Sequence, residues 1–333
     1  MKTPIESANA LSSATSHMGI SSVLNEARVF TPSDAFSSRA RVRGLAALEQ
    51  LRVEANADPV AFWEEQARGL EWFEPWTQAM HWSHPHAQWF VGGKINASVN
   101  CLDRHLTTHR RAKPALVWEG EPGDTRTLTY EQLHAEVCRC ANALRTLGVK
   151  TGDVVAIYMG MVPEAAVAML ACARIGATHN VVFGGFSADA LRERITNSGA
   201  VAVITQDAAN RRGEVVRLKS AVDDALITCP SVISVLVYQR TSIETPMASG
   251  RDHWWHDVVD GASPNCEAEA LDSEHPLFIL YTSGSTGKPK GILHTTGGYL
   301  VQTSYTTRMV FDMRDEDVYF CTCLLYTSDA ADE

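Results

Sequence analysis

Eleven consecutive residues, Tyr281-Thr-Ser-Gly-Ser-Thr-Gly-Lys-Pro-Lys-Gly291, concentrate hydroxyls, glycines and two lysines. Glycines let a backbone approach a ligand and turn its N–H groups inward. Thr282, Ser283, Ser285 and Thr286 add hydroxyl donors, and Lys288 and Lys290 add positive charge. Such a set suits a polyphosphate held beyond a strand end, as in open α/β sheets. A flexible Ser/Gly linker is the plainer reading. The apolar run Leu277-Phe-Ile-Leu280 just before it, which predicts a buried strand, and the Lys-Pro-Lys within it both speak against a linker. The Walker A loop requires G-x-x-x-x-G-K-[ST]. Here Thr282 occupies the first glycine position, and Pro289 offers no hydroxyl to a metal.

Two further stretches suit an anionic ligand. Gly184 and Gly185 directly follow the apolar Val181-Val-Phe183, which fits either an ordinary βα turn or close approach of a ligand. Arg211-Arg212-Gly213 follows a strand expected to end at Thr205. Its forked guanidinium donors suit phosphate oxygens, and a solvated charge pair on a loop is the alternative.

The elements that must position these residues are legible as alternating strands and helices. Thr129-x-x-Gln132 is a capping box opening a helix that stops at Gly148. Strands are predicted at 154–159, 180–183, 201–205 and 232–238, and helices at 163–175, 187–197 and 218–227. This alternation implies an α/β protein of layered, mostly parallel sheets and helices. Residues 240–275 mix Pro, Gly, Ser and acidic groups and are expected to form a long surface connection. Upstream, 1–40 are expected to be loosely ordered. A helical pattern at 42–68, broken at Asp58-Pro59, leads into an aromatic-rich stretch to residue 101, read as an N-terminal cap on the main domain.

Composition narrows the classes. The 333 residues are 45% hydrophobic and 20% charged, as in ordinary globular proteins. A net charge of −10 argues against a nucleic-acid surface. No apolar run nears the roughly 20 residues that span a bilayer, and the N-terminus lacks a signal-peptide core, so no membrane association and a cytoplasmic location are expected. The eight cysteines contain no C-x-x-C, and most read as buried small hydrophobes, with Cys138 and Cys140 directed to different faces of their helix. His81, His84 and His86 read as loop and interdomain surface, and no metal site is expected.

Thr282 to Gly291 resembles the signature loop of the adenylate-forming acyl-CoA synthetases. Its flanks, with Asn100-Cys-Leu-Asp-Arg-His105, Val117-Trp-Glu-Gly120, Gly152 to Met159, Met161 to Gly176, Val182-Phe-Gly-Gly-Phe-Ser187 and Asp252-His-Trp-Trp255, resemble the AMP-forming acetyl-CoA synthetases in the family's order. The resemblance runs from about Asp58 to Thr322. It implies an enzyme using ATP with Mg²⁺, acetate and CoA to form acetyl-adenylate and then acetyl-CoA; propionate or another short acid, or a non-catalytic nucleotide- or CoA-binding protein, are the alternatives. It implies ATP-phosphate contacts at Thr282, Ser283, Gly284, Ser285, Thr286, Gly287, Lys288 and Lys290. It implies CoA contacts at Phe183, Gly184, Gly185, Arg211 and Arg212, although Glu214 stands where some members carry a second basic residue. No catalytic residue is expected within this chain, because the family's adenylation lysine lies in a small C-terminal domain. The resemblance divides the chain at 41–101 and 102–322 and leaves 323–333 unlike the family. The chain is therefore expected to be an N-terminal fragment, inactive alone, with an apolar sheet edge open to solvent. No protein partner is assigned.

Overall fold

The computed structural model describes residues 30–282 and 289–320. Its centre is a seven-stranded sheet whose strands, in chain order, are β1 (Val154–Met159), β2 (Thr178–Phe183), β3 (Ala202–Gln206), β4 (Ser234–Tyr238), β5 (Asp252–Trp254), β6 (Pro276–Thr282) and β7 (Lys290–Thr295). Across the sheet they run β5-β4-β3-β1-β2-β6-β7. All neighbours pair in parallel except β6 and β7, which form an antiparallel hairpin. The expected layered, mostly parallel α/β architecture is thus what the chain adopts.

Parallel strands are buried on both faces, so each must be apolar on both. In β1, Val155, Ile157 and Met159 enter one core and Ala156 and Tyr158 the other. The first core is closed by α1 (Tyr130–Thr146) and α2 (Pro163–Ile175), the second by α3 (Ala188–Ser198) and α4 (Leu218–Leu226). The capping box forms: Gln132 N donates to Thr129 Oγ1 at 3.2 Å, and Thr129 N donates to Gln132 Oε1 at 2.9 Å. α2 ends at Gly176, whose φ of +73° is the left-handed closure that glycine adopts without strain. Cys138 and Cys140 are both buried although two residues apart, because α1 is covered by the Cys266 segment as well as by α2. Cys172, Cys229 and Cys266 are buried too, and Cys101 is exposed.

The N-terminal region folds onto α5 (Thr296–Tyr305). Helices Gly44–Ala57 and Pro59–Ala67 meet at Asp58, whose carboxylate accepts from Ala61 N at 3.0 Å. Phe62 and Trp63 pack edge-on against Tyr305, each at 5.5 Å. Within the stretch expected to be loosely ordered, Asp34–Arg39 is a short helix capped by Ser33; just beyond it, Arg41 bonds to Arg308 O, Asp312 and Met313 O. His81 and His86 lie on the strands of an exposed hairpin, Gln78–Ser83 with His86–Val91, rather than on a loop, and His84 lies on the turn between them.

The segment 240–275 also departs from expectation. Asp252–Trp254 joins the sheet as β5, and Trp255, Val259 and Cys266 are buried. The anchor is an ion network that no apolar pattern announces. Lys219 Nζ lies 2.8 Å from Asp252 and 2.7 Å from Asp223, and Arg251 Nε lies 2.6 Å from Asp252. The Lys219 and Asp252 side chains are almost wholly buried. Removing one partner strands the other charge. Asp252→Ala is expected to cost about 3–5 kcal/mol of urea-unfolding stability; a loss below about 1 kcal/mol, as for a surface pair, would contradict the anchoring role.

A second network ties the entry of the main domain to α1 and α2. Arg174 Nη1 and Nη2 donate to the two Asp103 oxygens at 2.8 and 2.9 Å, and His134 Nε2 lies 3.3 Å from Asp103 Oδ1. Burial alone would raise the Asp103 pKa, but the Arg174 and His134 contacts overcome it and hold the carboxyl well below its ordinary range. The Asp103 hydrogen bond, aided by Cys138, pushes His134 up to about 9. Because the folded pKa is the higher one, the stabilisation is complete below the ordinary histidine value and is lost as pH rises through 9. The pair is expected to stabilise the fold at pH 6 and to contribute almost nothing at pH 10. Urea unfolding of the chain and of His134→Gln at both pH values checks this: the difference between them should close with rising pH.

Candidate binding site at the strand ends

Parallel strands bring their C-terminal ends to one edge of the sheet. After β1 the chain leaves toward α2 on one face, and after the adjacent β3 it leaves toward α4 on the other. A crevice forms at such a switch of direction. Here it encloses about 280 Å³ between the residues after β1, β2 and β3, the hairpin Pro114–Glu119 with Thr125–Thr129, and Arg240.

The floor is fixed by Gln206 at the end of β3. Its buried amide accepts from Gly160 N at 3.0 Å and donates to Ala208 O at 2.6 Å, which joins the exits of β1 and β3. Gly184 is required by the close pass of the next turn: a Cβ there would sit 2.7 Å from Met159 O. A Cβ at Gly185 would meet the Arg211 guanidinium and lie 2.6 Å from Phe183 Cε1. The Arg211 guanidinium itself lies over the Phe183 ring at 4.8 Å. One wall is Trp118, whose indole N–H donates to Met161 O at 2.7 Å and carries the Arg240 guanidinium 5.1 Å above its ring.

Arg211 and Arg212 do not sit on an irregular loop. They end one strand and begin the turn of a hairpin, Ala208–Arg211 with Glu214–Arg217. Arg212 and Gly213 both have positive φ, +52° and +80°, the conformation of a tight hairpin turn. Their N–H groups converge on the Glu121 carboxylate at 3.0 and 2.5 Å. The structure therefore brings Phe183, Gly184, Gly185 and Arg211 into one cluster, with Arg212 beside it on the turn. Sequence reading missed Gln206, Glu121, Trp118 and Arg240 as site residues. Trp118 stood inside a recognised block, while Gln206 and Glu121 act through contacts far apart in sequence.

The second candidate site is described only at its base. The strand read at 277–280 runs from Pro276 to Thr282, and Thr282 pairs with Lys290 as the last rung of the β6–β7 hairpin. Ser283, Gly284, Ser285, Thr286, Gly287 and Lys288 lie outside the described residues. Residues 290–295 form β7, and the helix begins at Thr296. β7 borders the sheet with Ile292 and Leu293 about half exposed. Below the Trp118 wall, an apolar cavity of about 460 Å³ is lined by Met159, Met169, Phe278, Leu280 and Tyr299. Partly buried His179, which also lines it, is lowered to about 4 by desolvation, which keeps it neutral. Among the described residues no group of three or more His, Cys, Asp or Glu could hold a metal, and no helix is long and apolar enough to cross a membrane.

Residues 102–327 match the AMP-binding enzyme family, and residues 48–101 match the acetyl-coenzyme A synthetase N-terminus. Among curated proteins, an acetyl-coenzyme A synthetase of Chlorobaculum tepidum is 52% identical over 303 residues, covering 91% of this chain and 46% of that protein. One from Gemmatimonas aurantiaca is 53% identical, covering 90% and 46%. Among solved structures, the acetoacetyl-CoA synthetase of Streptomyces lividans superposes with a TM-score of 0.74 at 27% identity, over 81% of this chain and 41% of that one. The chain spans about half the length of the curated relatives it matches.

The two glycines of the crevice should respond differently to a methyl group. At Gly184 the obstacle is backbone, which cannot yield, so Gly184→Ala is expected to cost about 1–3 kcal/mol of stability. At Gly185 the obstacles are side chains, the end of Arg211 and the Phe183 ring, which can move aside at some cost, so Gly185→Ala should cost less than Gly184→Ala, about 1 kcal/mol. Urea unfolding of the two variants checks the contrast; equal losses would contradict this packing.

Proposed function

We propose, from the premise that this chain belongs to the AMP-binding enzyme family, that it supplies the CoA crevice and the ATP-phosphate loop of an acetate–CoA ligase. The observation that carries the reading is the coincidence of two things. The crevice lies at the direction switch of a parallel sheet, walled by Gly184, Gly185 and Arg211, and curated relatives at about half identity are acetyl-coenzyme A synthetases.

In this reading the acetate carboxylate attacks the α-phosphorus of ATP. The bond to the β-phosphate oxygen breaks, and pyrophosphate leaves with its electron pair. The CoA thiol then attacks the carbonyl carbon of acetyl-adenylate, AMP leaves with the acyl–oxygen electron pair, and the thiol proton passes to solvent. Thr282, Ser283, Gly284, Ser285, Thr286, Gly287, Lys288 and Lys290 would hold the β- and γ-phosphates, by charge and position rather than covalent chemistry. Mg²⁺ enters as part of the ATP substrate complex, with no protein ligand assigned. The CoA nucleotide would lie in the crevice, its phosphates facing Arg211 and Arg212 and its adenine side near Phe183, Gly184 and Gly185. The cap, residues 41–101, would brace α5 through Trp63 and Tyr305.

The choice of acid stays within the proposal, since the structural relative from Streptomyces lividans bears the name of a different acid. One methylene is worth only about 1–3 kcal/mol in an apolar pocket. The test uses a polypeptide carrying this chain together with the remaining length of its curated relatives. Acetate-dependent ATP–pyrophosphate exchange is expected, and Gly287→Val should lower it by about 100-fold or more. Unchanged exchange in the variant would contradict the loop's role, and a preference for propionate or acetoacetate would contradict acetate.

A further inference from the structure

The crevice and the base of the phosphate loop are joined by an unbroken file of side chains. Arg211 lies over the Phe183 ring at 4.8 Å. Phe183 meets Phe186 edge-on, 5.4 Å between centroids at 86°. Phe186 carries the Arg194 guanidinium at 4.6 Å, and that same guanidinium faces the Tyr281 ring at 5.5 Å. Tyr281 is the residue before Thr282, where β6 ends.

Two further observations give the file something to control. β6 pairs with β2 only at Phe278 and Ile279, so Leu280, Tyr281 and Thr282 run beyond that ladder and are tied to the sheet through the β7 edge alone. The contacts that hold this free end to the domain come from α3: the Tyr281 hydroxyl donates to Asn197 Oδ1 at 2.6 Å, and Arg194 lies against its ring. Arg194 is almost fully buried, an expensive place for a guanidinium, and α3 follows directly from the Phe183–Phe186 turn. Rings and guanidinium planes are rigid bodies whose contacts depend on orientation, so a shift at one end is passed along rather than absorbed.

We propose that this file couples the two sites: an anionic nucleotide bound on Arg211 and Phe183 fixes the C-terminal end of β6, and Arg194 is the positioning residue that transmits it. The proposal rests on the reading of the crevice as a nucleotide site. Contiguity alone is not coupling, which is a free energy shared reciprocally between two sites and must be measured as such.

The probe is adenosine 3′,5′-bisphosphate added to the 333-residue chain, with affinity from calorimetry and backbone amide exchange read at Tyr281, Thr282 and Gly291. Saturating probe is expected to slow exchange there by about fivefold or more. In Arg194→Leu the affinity should stay within about twofold while the slowing disappears, and Arg194→Lys should keep part of it. If Arg194→Leu does not fold, Phe186→Leu breaks the same file one contact earlier and should lose the slowing too. Binding without any slowing in the unmodified chain, or slowing that persists in the folded variant, would overturn the coupling alone. Absence of binding to the unmodified chain would remove the nucleotide site and the coupling together.

Discussion

Parallel pairing on both sides of Val154–Met159 is the constraint from which the site follows. Met159 stands opposite Phe183 in one ladder, and Tyr158 stands opposite Thr205 in the other, so three strands end within one or two residues of each other. A strand held this way must be apolar on both faces, and its alternate residues divide between two cores. Its own exit toward α2 then diverges from its neighbours' exits toward α3 and α4 on the opposite face, and the gap left between them is the crevice. The glycine at 184 belongs to the same constraint, because the β2 exit must cross Met159 O at a distance no side chain allows. Moving the register of β2 by one residue would remove the turn and the Arg211 stack together.

The electrostatics of the crevice are local and oppose the sign of the whole chain. A net charge of −10 repels anions at long range. Yet Arg211, Arg212 and Arg240 gather within one small volume, and the low dielectric of the surrounding core strengthens their field there. Their charge is partly engaged already. Arg240 is paired with Asp124 at 2.8 Å, and the turn N–H groups of Arg212 and Gly213 hold Glu121. Arg211, stacked on Phe183, is the guanidinium best placed to pair an aromatic base with a phosphate.

Much of this was legible in the chain, for reasons that differ by element. The βα alternation and the helix stops at Gly148 and Gly176 are local signals, written in periodicity and in single glycines of positive φ. Gly184, Gly185 and Arg211 were visible because a resemblance placed them, and the structure brings them together. β5 was hidden because its anchor is the buried ion network of Lys219 and Asp252, which composition reads as polar surface. β7 was hidden because its residues, partly exposed at the edge of the sheet, lead directly into α5, and the apolar positions of strand and helix merge in sequence. Gln206 and Glu121 were hidden because their work is done across the fold, on Gly160 and on the Arg212 turn.

The account turns on whether this crevice recognises CoA through Arg211. The most direct measurement is calorimetric titration of CoA into the chain and into Arg211→Gln, each at low and high salt. The unmodified chain should bind CoA with an affinity that weakens as salt rises, and the variant should bind about tenfold more weakly with a shallower salt dependence. Equal affinity and equal salt dependence in the two proteins would contradict the assignment.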